Sequence, residues 1–309
     1  MKESRQSFWR YVFAVRGSVE PRILPRVLVF GAWAVLVIAL YRWEPRVALQ
    51  LAPLEAAGVI LGLLLVLRTN AGYDRWWEAR KIWGSIVNQS RSMLIAATVY
   101  GPAAPAWRRA FARWGAAFAH VTRGSLRAER DMPELTALLG EEEAARVSAA
   151  QHGPLYVAVR LAALLREACD VHGMDRFAFL QIDAERARLV DHLGACERIL
   201  KTPLPDVYAI MTRRLIAIYL LLSPFGLVGS TGWLTPFAVM FVAYPILALD
   251  QISLELQNPF PTDHLSHLPL DEISAALEAN LLAVVDAGRG PRVASTVTEE
   301  PSGSPQGAP

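Results

Sequence analysis

The chain has 309 residues, 53% apolar and 19% charged, with a mean hydropathy of +0.27. Soluble domains run nearer ~25% charged and ~45–50% apolar, so membrane spans must coexist here with a soluble portion. The net charge of +2 is too small to signal a nucleic-acid partner. The two cysteines, Cys169 and Cys196, have no metal-ligand spacing, which excludes a disulfide framework and suits a reducing compartment.

Residues 1–23 are amphipathic, with Trp9, Tyr11 and Phe13 among charges and no cleavable signal pattern. They predict an interfacial helix on the inner leaflet. Residues 24–70 hold two transmembrane helices. The first lies between Arg26 and Arg42, "VLVFGAWAVLVIALY", short enough that the flanking arginines must snorkel. The second is the charge-free run Ala56 to Leu67, extended backwards past Glu55 to give a helix over about 52–70. Glu55 makes it the least lipid-like span, and such helices face protein or water. Gly58 and Gly62 suggest close helix approach.

Val59, Leu63 and Leu67 recur every four residues and share one helix face. Apolar stripes ordinarily pack against other helices. The functional alternative is a pore lining, because an apolar constriction passes ions when wet and blocks them when dewetted. "RTNAGYDRWWEARKIWG" follows at once. Arg68 is expected to mark the cytoplasmic end of the bilayer. Asn70, Tyr73 and Asp74 are expected to make polar contacts below it, and Trp76 and Trp77 to anchor at the interface or fill a junction. Glu78, Arg80 and Lys81 suit pairing along a helix that continues out of the membrane.

Residues 71–206 predict a helical cytosolic domain, rich in Ala, Leu, Arg and Glu. Trp107, Phe111, Trp114 and Phe118 form one apolar stripe. Gly124, the His152-Gly153-Pro154 turn and Gly173 separate its helices. Residues 207–257 predict transmembrane helices 3 and 4. No charge occurs from Leu215 to Leu249, too long for one span of ~20 residues. Ser223-Pro224, Gly226, Gly229 and Gly232 place a hairpin turn near 223–235. Residues 258–285 form a C-terminal cytosolic segment, and 286–309, rich in Gly, Pro, Ser and Thr, a disordered tail. With four spans, 29 of the 31 Lys and Arg fall on one side. The positive-inside rule then puts both termini in the cytoplasm of a multi-pass inner-membrane protein.

No phosphate-loop, dinucleotide, nucleophile-elbow or zinc-protease motif occurs. Asp263-His264-x-x-His267 reads as a loop with incidental histidines, and Cys196 as a small packing residue. No acid, base or metal set converges, so neither an enzyme nor a cofactor is indicated.

The run "LGLLLVLRTNAGYDRWWEARKIWGSIVNQSR" resembles the bestrophin family of channel-forming proteins, in its bacterial branch. The resemblance is carried by Arg68, Asn70, Tyr73, Arg75, Trp76, Glu78, Arg80, Trp83 and Gly84. Further segments match in family order: "RGSV", "GACERILKTPLP", "LLSPFGLVG", "LTPF" and "ELQNPF", the last with Asn258, Pro259 and Phe260. The resemblance implies an all-α homopentamer with four transmembrane helices per subunit around one central pore. It implies a pore neck at Val59, Leu63 and Leu67 and a cytosolic aperture at Phe177. It implies conduction of inorganic ions, chloride foremost, with sodium or potassium as the alternative. The family often has larger residues at the neck, which hints at a more permissive constriction here. In the segment "PTDHLSHLPLDEI" after Asn258-Pro259-Phe260, only Asp263, Asp271 and Glu272 are acidic, and they are spread out. Calcium wants six to eight oxygens, so no strong calcium gating and no bound metal are expected. A non-conducting membrane scaffold is the rival reading from another class.

Overall fold

A computed structural model describes residues 17–287. Most of the expected interfacial helix and nearly all of the expected tail lie outside the described residues. Helix α1 (Glu20–Trp43) starts at Glu20-Pro21, where an acid and a proline suit a first turn. A short 3₁₀ turn (Pro45–Val47) leads to α2 (Leu51–Tyr100), a single helix of 50 residues. Its one proline, Pro53, stands in the first turn, where no intrahelical N–H bond is lost, and at 1.5 Å per residue the helix is about 75 Å long.

Then come α3 (Pro105–Arg127), α4 (Pro133–Leu139), α5 (Glu141–Ala149), α6 (Gly153–Asp170) and α7 (Arg176–Lys201). Helix α8 (Asp206–Thr231) turns through a 3₁₀ segment (Gly232–Leu234) into α9 (Thr235–Gln257), and α10 (Leu270–Asp286) closes the described chain. No strand occurs among the described residues.

Three continuous helical stretches are long and apolar enough to cross a membrane: Glu20–Trp43, Pro45–Tyr100 and Arg176–Gln257. The third contains α8 and α9, so α1, α8 and α9 pack together with the first half of α2, four apolar helices in all. Their shared core includes Val27, Leu61, Leu65, Leu220 and Leu247. Leu28, Leu36, Ile60, Ile218 and Phe241 point outward and are exposed. An apolar outer surface of that extent belongs in a bilayer.

The turn between α8 and α9 is tighter than the sequence suggests. Ser223, Pro224, Gly226 and Gly229 all lie inside α8, and the chain reverses only at 231–235, where Gly232 has φ +54°. Pro224 lacks the N–H that would satisfy the Leu220 carbonyl, and the Ser223 hydroxyl donates to that carbonyl at 3.0 Å instead. Helix breakers survive in a membrane when a neighbouring donor takes over in this way.

The second half of α2 packs against α7 and, with α3–α6 and α10, builds a larger core around Trp83, Phe111, Phe118, Leu161, Leu189 and Phe260. Gly124 does not separate helices. Helix α3 runs on to Arg127 and ends with Ala128 in the left-handed region at φ +56°. Glu129 N–H donates to the Gly124 carbonyl and Ala128 N–H to that of Ser125, a Schellman cap. A side chain at Gly124 would collide with Met132.

Arg123 and Arg127 on α3 hold Asp271 of α10 at 3.1 and 2.8 Å, and Arg123 also reaches Glu134 at 3.2 Å. Burial alone would raise both carboxyls. For Asp271 the hydrogen bond from Arg127 and the charges of both arginines win, leaving its pKa below the usual range. For Glu134 a backbone hydrogen bond and Arg123 win in the same direction.

Candidate functional site

Helix α2 is amphipathic in an unusual sense. Leu61, Leu65 and Arg68 are buried, while Val59, Leu63 and Leu67 are 75%, 61% and 53% exposed. The exposed stripe does not stop with the apolar stretch. It continues through Asn70, Tyr73, Asp74, Trp77, Lys81, Asn88, Ser92 and Ile95, so one open face runs nearly the full helix.

The opposite face of "RTNAGYDRW" fixes the helix. Arg68 is fully buried nine residues after Val59, and it pairs with Asp250 of α9. Arg213 of α8 reaches the same carboxylate at 3.3 Å. Arg68 thus ties α2 to α9 through a buried ion pair, a partner that the sequence reading did not assign. The signal available in the sequence was Asp250 itself, the first charge after the 35-residue uncharged run. An ionisable residue there needs a named partner.

Gly72 is the tight contact that the sequence reading missed. A Cβ there would lie 3.1 Å from the Ser253 carbonyl oxygen and 3.2 Å from Leu256 Cβ. Gly58 abuts Tyr219, whereas Gly62 has open space within the subunit, so it marks no close approach there.

Arg75 ends two helices at once. Its guanidinium donates to the carbonyls of Ile199 (2.5 Å) and Thr202 (2.8 Å) at the end of α7 and of Gln257 (3.1 Å) at the end of α9. Unpaired C-terminal carbonyls carry partial negative charge, which a guanidinium fork neutralises. Trp76 donates to the Ser266 carbonyl at 2.6 Å, and Tyr73, Trp76 and Trp77 stack with centroids 6.2–6.4 Å apart. Glu78 pairs with Arg198 of α7 at 3.2 Å. Arg80 and Lys81 have no ion-pair partner among the described residues, so the local pairing expected along this helix does not form. Asn70 and Asp74 likewise make no polar contact there. Trp83 is fully buried, and a Cβ at Gly84 would meet nothing closer than Arg80 at 3.7 Å.

Asn258, Pro259 and Phe260 form a structural corner. Asn258 Oδ1 accepts from Phe260 N–H, the Pro259 carbonyl accepts from Leu268 N–H at 2.8 Å, and the Phe260 carbonyl accepts from Arg127 at 3.0 Å. Phe260 fills the larger core. His264 and His267 face backbone carbonyls, and no cluster of three metal-binding side chains occurs among the described residues.

Phe177 is 82% exposed on the first turn of α7. Asp175 caps that turn by accepting from Phe177 N–H at 2.8 Å and Ala178 N–H at 3.2 Å. Phe177 borders a recess of about 730 Å³ with Ser92, Ile95, Tyr100 and Glu185. The lower end of the α2 stripe thus meets the exposed phenylalanine within one subunit.

Fold and site together define an all-helical membrane protein whose second helix carries an exposed apolar ridge out of the bilayer bundle into a second helical body. The family described as bacterial/fungal bestrophin protein matches residues 1–283. Voltage-dependent anion channel-forming proteins of Mesorhizobium japonicum and of Synechocystis are 36% and 34% identical to this chain. The first alignment covers 90% of this chain and 89% of the relative, the second 86% and 88%. A bacterial bestrophin homologue from Klebsiella pneumoniae, solved by crystallography, has the same fold with a TM-score of 0.80. It is 27% identical over 85% of this chain and 98% of its own. The chain belongs to the bacterial/fungal bestrophin family.

Proposed function

We propose that the chain forms a homopentameric anion channel of the bacterial inner membrane, with both termini and the larger helical body in the cytoplasm. Val59, Leu63 and Leu67 line its neck and Phe177 its cytosolic aperture. The observation that carries this reading is the stripe on α2: the exposed face of Val59, Leu63 and Leu67 continues out of the apolar bundle through Asp74 and Lys81 to Ile95, although the opposite face of the same helix is tightly packed. A closed ring of subunits removes those faces from lipid and gives them a shared lumen. The naming of the relatives as voltage-dependent anion channel-forming proteins supports the choice of an anion.

The test is the reversal potential of the purified protein in a planar bilayer under a KCl gradient. Reversal near the chloride equilibrium value is expected. Reversal near the potassium value would refute anion selectivity and leave a cation channel of the same architecture. A preparation that is monomeric or dimeric and passes no current would refute the pore and favour a scaffold. Val59→Arg separates the two further: a lumen position changes conductance, whereas a packing position blocks assembly.

A further inference from the structure

The neck itself is apolar and does not choose the sign of an ion, so the choice must come from charges that face the same lumen. We infer that Asp74 and Lys81 form two opposed rings of charge beneath the neck that set the anion-to-cation permeability ratio. The inference rests on the proposal that the α2 stripe lines a pore.

At 100° per residue, Asp74 falls within about 20° of Leu63, the middle residue of the neck stripe, and Lys81 in line with it, whereas Arg80 is about 100° away. Both side chains are exposed. The other charged side chains of this stretch are placed elsewhere. Arg68 is half a turn away and spent on Asp250. Arg75 is spent on the carbonyls that end α7 and α9. Glu78 is turned to Arg198, and Arg80 lies on the flank of the stripe. Asp74 and Lys81 are left without an ion-pair partner among the described residues. Further down, Arg91 bonds Asn280 at 3.2 Å.

Distance then separates their effects. Asp74 lies seven residues below Leu67, about 10 Å along the axis, and Lys81 about 10 Å further. The screening length is about 8 Å at physiological salt, so each ring acts mainly on ions in its own plane. Trp77, exposed on the same face, separates the rings with an aromatic surface. The carboxylates nearest the neck oppose anions entering it from the cytosolic side. The ammonium groups below concentrate anions in the vestibule.

The experiment measures the chloride-to-potassium permeability ratio of the full-length channel and of three variants in planar bilayers. Asp74→Asn is expected to raise the ratio severalfold and Lys81→Gln to lower it, both effects shrinking as salt is raised. Glu142→Gln, on the exposed face of α5, alters the charge of each subunit as much as Asp74→Asn does and is expected to leave the ratio unchanged. Ratios that stay at the wild-type value in both stripe variants, in a channel that conducts, would overturn the two rings and leave the channel reading standing. Equal shifts in Asp74→Asn and Glu142→Gln would overturn the local placement. A wild-type protein that is monomeric or dimeric and passes no ions would overturn the pore reading itself, and the inference with it.

Discussion

Replacing Asp250 with asparagine keeps the shape of the side chain and removes its charge. Arg68, with none of its side chain exposed, would then be a guanidinium without a counter-ion. Two of its nitrogens, Nε and Nη2, already lack partners. Stranding one member of a buried pair costs about 3–5 kcal/mol. For a chain of this size that is a fall of roughly 6–10 °C in melting temperature. The converse change, Arg68→Leu, is milder, because Asp250 keeps Arg213, half exposed, at 3.3 Å; about 1–3 kcal/mol is expected. The double variant should be more stable than Asp250→Asn alone, since no charge is left stranded. Heating detergent-solubilised protein and following its native elution peak measures all three. The reasoning is refuted if Arg68→Leu loses as much as Asp250→Asn, or if the double variant is the least stable.

Gly72→Val should cost about 1–3 kcal/mol by pushing α2 off the Ser253 carbonyl and Leu256, and Gly62→Ala, with open space around it in the subunit, should leave its melting temperature unchanged. Asp271 and Glu134 have folded-state pKa values below their ordinary 3.8 and 4.5. Their contribution is therefore fully present above those ordinary values and is lost as pH falls through the lower folded ones. Melting temperature should stay flat from neutral pH to about 5 and fall below about 4, and Arg123→Gln should flatten that acid limb. Burial pushes the Cys196 thiol up to about 12, so a maleimide should label Cys169 in the native protein and Cys196 only after unfolding.

What was legible in the sequence was local. Uncharged runs, the four-residue spacing of Val59, Leu63 and Leu67, and the absence of proline from Arg68 to Tyr100 are all local features, legible within a few turns. The apolar stripe of α3 is of the same kind, and Trp107, Phe111, Trp114 and Phe118 are buried. What escaped depended on partners far along the chain. Arg68 and Asp250 are 182 residues apart, and no periodicity links them. Gly62 and Gly72 look alike in sequence, and only the position of α9 tells them apart. Pro224 stands beside a serine whose hydroxyl repairs the helix, which composition alone reads as a turn.

An unbroken α2 has a mechanical consequence. A rod of about 75 Å turns a tilt of 3° at one end into about 4 Å of travel at the other. Val59 and Ile95 sit on the same rod, so the neck and the recess beside Phe177 cannot be moved independently through this helix. Independent motion has to come from α7, which carries Phe177 but not the neck. Spin labels at positions 59 and 95 of one subunit should stay about 54 Å apart in every conducting and non-conducting state. A distance that changes between states would mean that the rod hinges.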